Sequence, residues 1–128
     1  MPFGWGDFLT LAGELAQAPS DALTEARGRS AVSRAYYSAF RRALVVFDNR
    51  NVYRPSRRAD DHSGLIRALF DTKRTDYVSV GKALERLLAA RRTADYDLEQ
   101  NRQYKMTPES AIAQAARVIE LLGQLLSP

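Results

Sequence analysis

From Asp21 to Asp48 the chain carries no proline and no strong turn signal, while apolar residues recur at three- and four-residue intervals. That pattern reads as one helix about 40 Å long at about 1.5 Å per residue. With Ser20 as its N-cap, its hydroxyl accepting an otherwise unpaired backbone N–H, the helix covers about 20–49. A rod of this length in a chain of 128 residues buries its apolar face only if shorter helices lie along it. A chain of this size supports a single core, so we read one domain, 1–128. The seam is expected to pass through Leu23, Ala26, Ser30, Ser33, Tyr37, Phe40, Leu44 and Phe47.

The remaining segments supply those shorter helices, and none alternates with period two. A first helix runs from about Trp5 to Gln17, with Phe8, Leu9, Ala12 and Leu15 on one face, and stops before Pro19. Asn49, Asn51 and Pro55 break the long helix into a polar loop, 49–59, with four arginines. A third helix is expected over Asp60–Phe70, with Leu65, Ile66, Leu69 and Phe70 inward, and a fourth over Val78–Thr93 after the link DTKRTDY. Thr107 caps the last helix and Pro108 takes its tolerant first position; Ile112, Ala115, Ala116, Ile119, Leu122 and Leu125 form its stripe. Gly28, inside the long helix, costs about 1 kcal/mol relative to alanine and points to a close helix crossing there. The expected fold is all-α, an up-and-down bundle of four to five helices.

Composition removes several function classes. The chain has no cysteine and one histidine, which excludes disulfides, thiolate chemistry and a structural zinc; no metal and no cofactor are expected. No apolar run approaches the ~18–20 residues a membrane span needs. The N-terminal MPFGWGDFLTLAGEL lacks the basic region and cleavage site of a signal peptide, so a cytoplasmic location is expected. No P-loop, dinucleotide fingerprint or nucleophile elbow is present. The formal charge of +4 rests on sixteen Arg and three Lys, a balance compatible with an anionic partner.

Three segments occur in order: Ser33-Arg34-Ala35-Tyr36-Tyr37-Ser38-Ala39-Phe40, His62 ahead of Leu65-Ile66, and Arg92-Thr93-Ala94-Asp95-Tyr96. In these, over roughly Ala26 to Gln124, the chain resembles the HEPN (higher eukaryotes and prokaryotes nucleotide-binding) family. These are small helical modules that include many metal-independent RNases and many inactive relatives. The resemblance implies a HEPN-like bundle, a homodimer and a nucleotide- or RNA-associated role, with a minimal nucleotidyltransferase as a possible protein partner. RNases of this type are similar in an R-x4-6-H motif near the start of a late helix. There the arginine neutralises phosphate and the histidine assists 2′-hydroxyl attack or protonates the leaving oxygen.

This chain departs from that pattern, because neither the fourth nor the last expected helix contains a histidine. The one formal match is Arg57-x4-His62 in RRADDH, and Arg57 converges on His62 only if it lies in the non-helical loop. Asp60 and Asp61 are expected to repel a phosphate and to raise the affinity of His62 for its proton. The bland alternative is a helix-start histidine beside solvated arginines. Tyr36 and Tyr37 point about 100° apart, so one enters the core and the other faces a groove or the Asp95-Tyr96 segment. Arg34, Tyr37 and Asp95 are then either part of a nucleotide-binding groove or an interhelical ion pair with its hydroxyl partner. Arg41, Arg42, Arg50, Arg54, Arg57 and Arg58 form a possible basic strip, with Tyr53 available to stack on a base. The leading expectation is a HEPN-like binding or regulatory module without efficient RNase activity. The alternative is a metal-independent endoribonuclease toxin of a toxin–antitoxin pair using Arg57 and His62.

Overall fold

The structure, a computed structural model, describes residues 6–17, 24–96 and 106–126. These form five helices and, among the described residues, no strand: α1 (Gly6–Gln17), α2 (Thr24–Asn49), α3 (Asp61–Asp71), α4 (Thr75–Tyr96) and α5 (Pro108–Leu126). The central element is α2, 26 residues long, with α1, α4 and α5 packed along it, while α3 lies against α4. No described helix is long and apolar enough to cross a membrane.

Because α2 meets three helices, its buried surface is wide; it keeps Phe40, Leu44 and Phe47 of the expected seam and departs from that seam over the first half of the helix. Ala31, Val32, Ala35, Tyr36, Ala39, Phe40, Ala43, Leu44, Val46 and Phe47 are buried. Ala26 is exposed, and Ser30, Ser33 and Tyr37 are half-buried; Leu23 lies outside the described residues. Periodicity admitted both registers, and in the first half of the helix the core takes the alanines, Val32 and Tyr36, whose hydroxyl is paired with His62 Nδ1. The alanines at four-residue steps leave room for neighbouring helices to approach, while Tyr36, Phe40 and Phe47 fill the larger spaces.

The helix ends follow local chemistry. Thr107 Oγ1 accepts the Ser110 amide at 3.1 Å, with Pro108 opening α5. A Cβ on Gly28 would meet Pro108 Cγ at 3.2 Å, so the close crossing implied by Gly28 is internal, against the start of α5. The fourth helix begins three residues before its expected start. Thr72 Oγ1 donates to the Leu69 carbonyl at 2.7 Å and accepts the Arg74 amide at 3.3 Å. Lys73 takes φ 58°, which turns the chain in two residues and lets Thr75 and Asp76 open α4. In α5 the buried stripe is Ala111, Ala115, Val118 and Leu122. Ile112, Ile119 and Leu125 are half-buried, and Ala116, expected inside, is exposed.

Candidate functional site

Asp61 organises the loop that enters α3. It is 4% exposed, and its carboxylate turns back over the loop rather than out to solvent. Oδ1 accepts the Tyr53 hydroxyl at 2.7 Å, the Ser56 amide at 2.8 Å and the Ser56 hydroxyl at 2.7 Å; Oδ2 accepts the Arg57 amide at 2.8 Å. Burial alone would raise the Asp61 pKa. The bonds from Ser56, Tyr53 and the Arg57 amide outweigh it and hold the carboxyl far below the usual range. Burial, with the bond to and charge of Asp61, pushes the Tyr53 hydroxyl up to about 12. This clamp holds Arg57 at φ 64°, a left-handed conformation a non-glycine residue keeps only when its surroundings enforce it.

Arg57 therefore lies in non-helical loop, the condition for meeting His62. The two border one cavity of about 500 Å³, lined also by Tyr37, Phe40, Arg41, Arg58 and Asp61. His62 stands in the first turn of α3, where three α2 aromatics surround it. Phe40 stacks on the imidazole at a centroid distance of 4.3 Å and 24°. Tyr37 meets it edge-on at 5.9 Å. Tyr36, fully buried, bonds through its hydroxyl to Nδ1 at 2.5 Å. With Nδ1 engaged, Nε2 is the imidazole's remaining polar atom. Burial raises the Tyr36 pKa well above its ordinary value, so the hydroxyl stays protonated.

The expected effect of the acidic pair on His62 is corrected. Burial lowers the His62 pKa, the charges of Arg91, Arg41 and Arg92 lower it further, and Asp61 opposes them without prevailing. Asp61 borders the cavity, but both of its carboxylate oxygens accept from loop donors, and Asp60 does not border it. His62 is thus a neutral imidazole at pH 7 in a setting dominated by guanidinium charge. In an NMR titration its midpoint is expected below 6.5, rising in Arg41→Gln as one positive neighbour is removed. Tyr36→Phe is expected to cost about 1 kcal/mol and to alter the balance of His62 ring tautomers in 15N spectra. A midpoint at or above the ordinary value would contradict this electrostatic account.

The two tyrosines divide as adjacent helical residues must. Tyr36 is in the core, and Tyr37, half-buried, borders both the His62 cavity and a second one of about 560 Å³ lined by Phe8, Ala26, Arg29, Ser30, Ser33, Arg34 and Ala94. Arg34 Nε donates to Ser30 Oγ at 3.1 Å. The Asp95 side chain, and with it the proposed Arg34–Asp95 contact, lies outside the residues whose side chains are described. The arginine strip separates into parts. Arg57, Arg58 and Arg41 reach the His62 cavity, whereas Arg50 donates to the Tyr77 hydroxyl at 3.1 Å and, like Arg54, does not line that cavity. Tyr53 is held by Asp61, and its ring lies against Gly64, which leaves it less surface for a base than expected.

The guanidinium carbon of Arg91 in α4 sits 5.0 Å over the Tyr37 ring. Its spacing in α4 carried no hint of this, because the partner ring belongs to α2. The largest of these cavities, about 700 Å³, lies elsewhere, between α3 and α4. Arg67, Arg86 and Arg92 face Asp71 and Glu85 there, so the charges largely cancel and size does not mark the site. Comparison with protein-family models, curated proteins and solved structures gave no match.

Proposed function

We propose that the His62 cavity binds phosphate and that the chain is a nucleotide- or RNA-associated binding or regulatory module of HEPN type, without efficient RNase activity. The observation that carries this reading is the meeting of Arg57, Arg58 and Arg41 with a neutral His62 in one cavity. Guanidinium groups recognise phosphate through paired N–H donors, and a partly desolvated cavity strengthens each bond. Transesterification of RNA requires one proton removed from the 2′-hydroxyl and one delivered to the leaving oxygen. Each chain has one histidine, and the raised Tyr36 pKa leaves that hydroxyl a poor partner in proton transfer. Binding is favoured over turnover on that ground. The same resemblance leads us to propose a homodimer and a minimal nucleotidyltransferase as protein partner.

The endoribonuclease reading keeps one specific support. Tyr36 on Nδ1 fixes the imidazole as a base-orienting partner does, with Arg57 on the same cavity to neutralise a phosphorane. Incubation of the full chain with single-stranded RNA in EDTA separates the two. The binding reading predicts salt-sensitive retention of intact RNA. Cleavage to 2′,3′-cyclic phosphate ends that His62→Ala abolishes, with growth arrest on expression, would establish the enzyme instead. An absence of both binding and cleavage would remove both readings.

A further inference from the structure

Ser30, Arg34, Tyr37 and Arg41 follow one another along α2 at steps of four, three and four, which places them on one face of the helix. This is the stripe next to the buried one, and it joins the two cavities. Arg34 lines one, Arg41 lines the other, and Tyr37 borders both. Arg34 and Arg41 are seven residues apart, about 10 Å along the helix axis at about 1.5 Å per residue. The wall between the cavities also carries charge, since Arg91 covers the Tyr37 ring. Arg29 adds a further guanidinium to the Arg34 cavity, where Ala94 of α4 and Phe8 of α1 form apolar walls.

We infer that the two cavities are successive subsites of one track for a single-stranded oligonucleotide, with phosphates on either side of Tyr37. The inference rests on the phosphate-binding reading of the His62 cavity and extends it to a substrate class. A nucleoside monophosphate has one phosphate and occupies one subsite, whereas a strand presents phosphates at intervals and engages both arginine sets. Backbone-tracking grooves of this kind bind with little base selection and strong salt dependence.

The test measures affinity of the full chain for hexauridylate, uridine 5′-monophosphate and ATP, in the parent, Arg57→Ala, Arg34→Gln and Arg29→Gln. Arg57→Ala is expected to weaken hexauridylate and the monophosphate alike. Arg34→Gln is expected to weaken hexauridylate about tenfold, to lower the slope of log affinity against log salt by about 0.7, and to leave the monophosphate unchanged. Arg29→Gln carries the same comparison if Arg34→Gln loses its helical circular dichroism. Hexauridylate binding that depends on Arg57 but is indifferent to Arg34 and Arg29 would overturn the track and leave the phosphate site standing. ATP binding in place of hexauridylate would also overturn it. No binding of any probe would remove the phosphate site itself.

Discussion

Asp61→Asn is expected to lower the unfolding free energy by about 3 kcal/mol, the scale of losing bonds made to a buried charge. The carboxylate accepts from Tyr53, Ser56 and the Arg57 amide at once. An asparagine presents one oxygen and one NH2, so one loop donor faces another donor. The same carboxylate predicts an acid limb. Its folded pKa lies below the ordinary 3.8, so the unfolded chain binds the proton more tightly. Stability conferred above about pH 4 falls as pH drops toward the folded value. His62 adds a separate and earlier loss beginning near pH 6.5, because its folded pKa is also lowered and the native state favours the neutral ring. Urea denaturation at pH 7, 5 and 3 checks both windows: Asp61→Asn should be weaker at pH 7 and lose most of the limb below pH 4. An unchanged midpoint at pH 7 would mean that the loop does not depend on this clamp.

Gly64→Ala is the second large effect, and its sign runs against helix propensity. Alanine in a helix interior is favoured over glycine by about 1 kcal/mol, yet a Cβ at position 64 would lie 2.6 Å from the Tyr53 hydroxyl oxygen and 2.9 Å from Cε1. The ring must move, which strains or breaks its bond to Asp61. Overpacking of this kind costs about 1–3 kcal/mol, and the lost bond adds to it. A net destabilisation of about 2 kcal/mol is expected. Two comparisons isolate the cause. Gly123→Ala, where nothing lies within 4 Å of the added carbon, should stabilise by up to about 1 kcal/mol. In a Tyr53→Ala background the penalty at Gly64 should largely disappear, since the two residues share the contact. An equal penalty in both backgrounds would place the cause away from Tyr53.

Local signals in the sequence were legible where the physics is local. Thr107-Pro108 marked the start of α5, the proline-free run marked α2, and Gly28 marked the crossing by Pro108. The start of α4 was hidden because Lys73, a residue without turn preference, holds the left-handed position. The register of the first half of α2 was ambiguous because adjacent stripes have the same period, and only the neighbouring helices decide between them. At the site, Arg57 and His62 were visible as residues, and so was the condition under which they meet. Their electrostatics were not. Sequence proximity singled out Asp60 and Asp61, whereas tertiary structure turned Asp61 into the loop and brought Arg91, Arg41 and Arg92 to bear on the imidazole. The resemblance that named a late histidine motif has no counterpart in α4 or α5. The proposed site instead lies where α2, the loop and α3 meet.

Phosphate is proposed to enter the cavity between Arg57 and His62. The most direct measurement records the side-chain 15N resonances of His62 and the arginines while uridine 5′-monophosphate is titrated into the full chain at low salt. His62 Nε2 and Arg57 Nε are expected to shift together on one saturating curve. Stationary His62 and Arg57 resonances, with shifts confined to Arg67 and Arg86 of the α3–α4 cavity, would contradict it.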